Sequence, residues 1–182
     1  MSDAEPLVYS LDACDRIVRV NDAWTRFALE NEAPELAAQH VLRRSIWDFL
    51  DDPTTRQIYA DLFSRVRQGR TASFSLRCDS PTLRRHLTMI IRPAERNSVD
   101  FQCAVVAVES RPTQRIWDRR TIRSGSLLRA CAWCKRVDVG GEWMEIDVAL
   151  EPLRIFELER LPAVTHGICD ACHQTMTIIT SL

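Results

Sequence analysis

Two Cys-x-x-Cys pairs, Cys131/Cys134 and Cys169/Cys172, stand 34 residues apart near the C-terminus, and they limit what this end of the chain can fold around. Each pair fits a tight turn, or knuckle, that aims two sulfurs at one point. Two knuckles brought together make a tetrahedral four-cysteine site, the closed geometry of structural zinc. The spacing therefore predicts one zinc ion held by Cys131, Cys134, Cys169 and Cys172. Lys135 and Arg136 directly follow the second cysteine, where cations and knuckle amides help keep thiolates ionised. Four thiolate ligands leave no open coordination position, so zinc-assisted hydrolysis is not expected. About fifty residues with few large apolar groups make a poor core without such a staple. His166 and His173 flank the second pair and either can replace a cysteine as ligand. The favoured reading has His166 with Gly167 shaping the knuckle entry and His173 exposed.

The remaining sequence sets the context. A chain of 182 residues has room for one ordinary domain and a small appended module. An odd cysteine count, seven, cannot complete a disulfide framework. The N-terminus, Met-Ser-Asp-Ala-Glu-Pro, is acidic and lacks the apolar core of a secretion signal. Apolar runs such as 104–108 are too short to cross a bilayer. A cytoplasmic protein with reduced thiols and no membrane association is expected. Charge is unevenly spread. Residues 111–136 carry eight Lys or Arg against the single acid Asp118, while residues 137–182 carry two Arg against eight acids. A basic joint thus separates a mildly acidic N-terminal region from a more acidic C-terminal one.

Hydrophobic periodicity gives the element order. Val8 to Asp12 and Arg16 to Asn21 read as strands around a turn at Ala13-Cys14-Asp15. Asn21 or Asp22 caps a helix carrying Trp24, Phe27 and Ala28, and Pro34 interrupts it. A short apolar turn follows at Ile46, Trp47, Phe49 and Leu50. The clearest helix starts after Asp52, an N-cap, with Pro53 at its first position and Gly69 at its stop. Ile58, Tyr59, Leu62, Phe63 and Val66 give it one apolar face. Strands follow at 72–78, 85–92 and 99–109, the last apolar on both faces and so read as central. Strand, strand, helices, three strands is an α+β pattern with an antiparallel sheet.

That order resembles the PAS domain. Asp15 to Trp24 (DRIVRVNDAW) looks like the second strand and helix start of a PAS domain, Ser45 to Leu50 (SIWDFL) like the turn before its long helix, and Arg77 to Pro93 like its paired late strands. Cys131 to Lys135 (CAWCK) and His166 to Cys172 (HGICDAC) resemble a short cysteine module that follows PAS or receiver domains in bacterial signalling proteins. The kinase, cyclase or receiver domains that usually accompany such sensors are absent from this sequence. The resemblance implies a five-stranded antiparallel sheet with helices on one face over residues 1–110. A basic linker or connecting helix would follow over 111–130, then a zinc-ribbon or treble-clef-like module over 131–182.

It also implies a ligand space between the long helix and the sheet, where Phe63, Phe74, Leu76 and Met89 line either a pocket or simply the core. Haem is not expected, because His40 falls in a loop and His86 on a strand. A photoactive flavin is not expected either, since Cys14, Cys78 and Cys103 lie outside the helical motif it needs. These three cysteines read as packing residues, with Cys78 near a strand end where partial exposure is expected. In the joint, Arg115, Arg119, Arg120 and Arg123 can meet nucleic-acid phosphate or an acidic partner, or can pair internally with the acidic C-terminal module.

The chain has no Gly-rich phosphate loop and no nucleophile–base grouping with supporting context, so an enzyme is not expected. The leading expectation is a non-catalytic sensory or regulatory signalling protein that docks a protein partner. Alternatives are a DNA-binding transcriptional regulator using the basic joint and the knuckles, and a thiol/zinc redox switch. PAS domains commonly self-associate, which adds a homodimer to the expected assemblies.

Overall fold

In the computed structural model, residues 5–181 are described. The reading of an N-terminus without a secretion signal rests in part on residues 1–4, which lie outside that range.

β1 (Leu7–Leu11) and β2 (Ile17–Val20) form a hairpin. The Asp12 carboxylate closes its turn by accepting from the amides of Cys14 and Arg16. Asn21 caps α1 (Asp22–Glu30), and its side-chain oxygen accepts from the amides of both Trp24 and Val8, which ties the helix start to β1. Pro34–Leu36 is a 3₁₀ turn, followed by the short α2 (Ala38–Val41) and a second 3₁₀ turn at Ile46–Phe49. α3 (Pro53–Arg67) begins as its sequence predicts: Asp52 accepts from the Thr55 amide at 2.7 Å and Pro53 opens the helix. Gly69 then takes a left-handed φ of 95° to end it.

β3 (Ala72–Asp79), β4 (Leu83–Pro93) and β5 (Val99–Ser110) complete a five-stranded antiparallel sheet of order β2-β1-β5-β4-β3. Tyr9 faces Phe101 in register and stacks on it at 4.2 Å. Trp24 of α1 meets Tyr9, and Phe63 of α3 meets Phe101, so both helices cover the same face. The sheet is therefore PAS-like, with its helices placed as the resemblance implies. β5 is central, but its expected burial on both faces holds only for the first half. β1 pairs with it no further than Cys103, so beyond that point β5 has β4 alone beside it, and Val106 and Val108 lie half-exposed.

Residues 111–130 depart from a linker or connecting helix. They form a 3₁₀ turn at Arg115–Trp117 and then most of β6 (Arg123–Cys131). β6 belongs to a second sheet with β7 (Val137–Val139), β8 (Glu142–Met144) and β9 (Leu161–Gly167), in the order β8-β7-β6-β9. β6 and β9 run parallel, and Gly140 and Gly141 supply the positive φ angles of the β7–β8 turn. α4 (Ile146–Ala149), a 3₁₀ turn at Ile155–Glu157 and the terminal α5 (Asp170–Ser181) complete the chain. Ile116, Leu128, Val137, Ile146 and Leu161 form a second buried cluster, so the basic joint is anchored by its own apolar residues. Among the described residues no helix is long and apolar enough to cross a membrane.

Candidate metal centre and its junction with the sheet

The first cysteine pair sits on a knuckle at the end of β6. Its turn is closed by the Cys131 amide donating to Arg136 O and the Lys135 amide donating to Cys131 O. Lys135 holds a left-handed φ of 61°, uncommon for a side-chain-bearing residue, and its Nζ donates to Ala132 O at 3.0 Å. The second pair is not on a knuckle. Cys169 immediately precedes α5 and Cys172 lies in its first turn. A turn-borne pair facing a helix-borne pair, with the β7–β8 hairpin between, is the treble-clef-like form of the two expected.

The four Sγ atoms all lie within 4.8 Å of one another, and Cys134 and Cys169 approach to 3.6 Å. Zinc–sulfur bonds of about 2.3 Å set tetrahedral sulfur–sulfur edges of roughly 3.8 Å, so the donor set fits a metal ion. None of the four is in a disulfide; Cys131 and Cys169 are buried and Cys134 and Cys172 half-buried. The Cys169 amide donates to Cys131 Sγ at 3.5 Å. Hydrogen bonds from the Cys134 and Cys172 thiols hold Cys131 far below the usual thiol range. Donating to Cys131 in turn pushes Cys134 up to about 12. Packed this closely, the cluster favours one thiolate among shared protons, and only a cation at its centre offsets the repulsion of four thiolates. Neither His166 nor His173 belongs to the cluster, and both are exposed.

The centre is not a separate appendage. Cys131, Trp133, Cys169 and Met176 belong to the same buried cluster as Phe63, Phe74 and Phe101. Trp133, between the knuckle cysteines, stacks on Tyr59 of α3 at 5.9 Å. Its carbonyl accepts from the Arg77 amide at 2.7 Å, so the knuckle caps the edge strand β3. A buried charge cluster reinforces the junction. Arg77 donates to both oxygens of Glu145 at 2.9 and 2.7 Å and to Asp79 at 2.5 Å, and Arg111 donates to Asp79 at 3.1 Å. The Asp79 side chain is fully buried. Burial works against the charge on Arg77, but the Asp79 and Glu145 carboxylates outweigh it and raise its pKa. Arg84 adds a pair to Asp147 at 2.9 Å.

Several chains of known structure resemble this one in part. The PAS domain of BvgS from Bordetella pertussis is 17% identical with a TM-score of 0.39, covering 56% of this chain and 72% of its own. The PAS domain of an HTR-like protein from Haloarcula marismortui is 21% identical with a TM-score of 0.36, covering 57% and 84%. A sensory box sensor histidine kinase from Vibrio cholerae is 11% identical with a TM-score of 0.36, covering 60% and 84%. No family model matches the chain, and no curated protein matches it. What makes the N-terminal fold PAS-like is its own strand order and helix placement.

The other residues singled out by sequence fall elsewhere. Phe63, Phe74 and Met89 are buried in the core with Leu76 half-buried against it, and Trp47, Tyr59 and Phe101 pack around Phe63. Arg119 pairs with Glu35, and Arg120 with Glu32 and Asp118. Arg123 donates to the carbonyls of Ile116, Asp118 and Pro162, while Arg115 is exposed. The expected pairing with the acidic C-terminal module is met by Arg129, which pairs with Asp138 at 2.5 Å, but not by these four arginines. Arg119 and Arg120 of the joint reach the N-terminal helical region, and the C-terminal acids Glu145 and Asp147 reach arginines of the first sheet. Of the three cysteines read as packing residues, Cys103 is buried with its thiol pushed up to about 12 and Cys78 is half-buried, as its place near a strand end predicts, but Cys14 is exposed in the β1–β2 turn. Sequence reading missed Arg77, Asp79, Glu145 and Trp133. Only Trp133, a large apolar residue inside a knuckle, carried a signal for it.

Proposed function

We propose that the chain is a non-catalytic sensory and regulatory protein in which a structural zinc ion locks a treble-clef-like end onto a PAS-like sheet. The observation that carries this reading is the junction. The knuckle holding Cys131 and Cys134 also caps β3 and packs Trp133 on α3, so a change in either half is felt by the other. Cys131, Cys134, Cys169 and Cys172 would hold the ion, and a site filled by four thiolates supplies folding energy rather than substrate activation. The output would be a protein partner docked on the C-terminal half, where Leu127 and Phe156 are highly exposed. Elemental analysis of protein purified without added metal tests the centre: one zinc per chain, lost in Cys131→Ala, is the expected result. A visible chromophore or a metal-free folded protein would overturn it. Docking is tested by crosslinking from cells. A specific partner recovered by the wild type and lost with Phe156→Asp supports the output role, and recovery unchanged by Phe156→Asp and Leu127→Asp removes it.

A further inference from the structure

Between α1, the β3–β4 turn and the segment after β5 lies a cleft of about 600 Å³, within the range of small-molecule sites. Trp24, Phe27, Leu36, Leu83 and Trp117 give it apolar walls, and Arg85 also lines it. The cleft is distinct from the space between α3 and the sheet that Phe63 and Met89 fill, and Trp117 comes from beyond the five-stranded sheet.

Its polar groups are unbalanced. Arg85 Nη1 and Trp117 Nε1 are both buried with no hydrogen-bond partner among the described residues. The Arg85 guanidinium sits 5.5 Å over the Phe27 ring and has no carboxylate within ion-pair reach among the described residues. The other charges at the cleft are spoken for: Asp79 by Arg77 and Arg111, Glu32 by Arg120, and Arg119 by Glu35. Glu30 is exposed. Buried donors without acceptors are costly, so the missing complement is an acceptor carrying negative charge. One guanidinium matches the two oxygens of a single carboxylate. A dianionic phosphate would instead add charge beside Glu30, Glu32 and Asp79.

We propose that this cleft binds a small carboxylic acid with a flat apolar body, its carboxylate on Arg85 and Trp117 and its body among Trp24, Phe27 and Leu36. The site goes beyond the metal centre and partner docking proposed above, and it stands or falls independently of them.

Calorimetric titration of the full chain with 2-naphthoate, and with the uncharged 2-naphthylmethanol, tests this. Saturable one-to-one binding of 2-naphthoate is expected, at least about tenfold tighter than the alcohol. Arg85→Met keeps the stem over Phe27 and should erase that preference. Trp117→Phe keeps a ring but removes the N–H, and should weaken 2-naphthoate about threefold while leaving the alcohol unchanged. Because Arg85→Met can disturb packing, its melting temperature is compared with wild type, and Trp117→Phe decides if it has fallen. No saturable binding at millimolar 2-naphthoate, equal binding of the alcohol, or affinities unmoved in both variants would overturn the assignment.

Discussion

Two sets of arginine–carboxylate pairs tie this chain together, and they differ in burial rather than in chemistry. At the junction, Arg77 and Arg111 hold Asp79, whose side chain has no solvent exposure, and Arg77 also holds Glu145. Across the N-terminal helical region, Arg119 holds Glu35 and Arg120 holds Glu32, with about half or more of each side chain in water. Ion pairs in water are screened and typically contribute about 0–1 kcal/mol. A buried pair gains little net energy over an apolar substitute, but losing one partner strands the other charge and costs about 3–5 kcal/mol. The buried set therefore fixes how the two sheets meet, and the exposed set only follows that geometry.

Emptying the proposed zinc site should separate the two sets most severely. Chelation, or Cys131→Ser, should remove on the order of 10 kcal/mol of folding energy, comparable with the whole stability of an ordinary domain. The C-terminal module should unfold and Trp133 should leave Tyr59, read as a red shift in tryptophan emission and fast amide exchange over 131–181. Retention of protection there would mean the exposed pairs and the second core suffice. Next in size is Asp79→Ala, expected to cost about 3–5 kcal/mol in denaturant unfolding because Arg77 and Arg111 lose their shared carboxylate. A cost under about 1 kcal/mol would erase the distinction between the sets. Arg119→Met should cost less than about 1 kcal/mol, and the difference from wild type should vanish in high salt. The smallest effect is in acid. Glu35 is held below its ordinary value of 4.5 by its own backbone amide and then by Arg119. Its contribution is complete above pH 4.5 and fades as pH falls through the lower folded-state value. The melting curves of wild type and Glu35→Gln should therefore differ at pH 6 and converge in stronger acid.

Where structure is set by local chemistry, it was legible in the sequence. Asp52, Pro53 and Gly69 mark α3 because capping and turn geometry act within a few residues. The Cys-x-x-Cys spacing marks each half of the four-cysteine cluster for the same reason. The second pair was misread as a knuckle, although Cys172, Met176 and Ile179 recur at helical spacing and pack toward the shared core. β6 was hidden by its arginines and by a parallel partner, β9, that lies far along the chain. The junction was illegible for a deeper reason. Asp79 is buried and Asp100 is not; Arg77, two residues before Asp79, is local, but its reach to Glu145 and the approach of Arg111 come from distant segments.

The carbonyl that caps β3 has a consequence for the order in which the chain is made. Synthesis runs from the N-terminus, and domains fold as they emerge. β3 leaves the ribosome well before Trp133, and well before Cys172 completes the ligand set. In that interval the nascent sheet has an unguarded margin, the kind of surface on which a strand from another chain can pair. If zinc fills the four-cysteine site as proposed, its arrival ends a vulnerable stage of biogenesis, and a shortage of the ion should appear first in newly made protein, as insoluble chain, before it is felt in the mature fold.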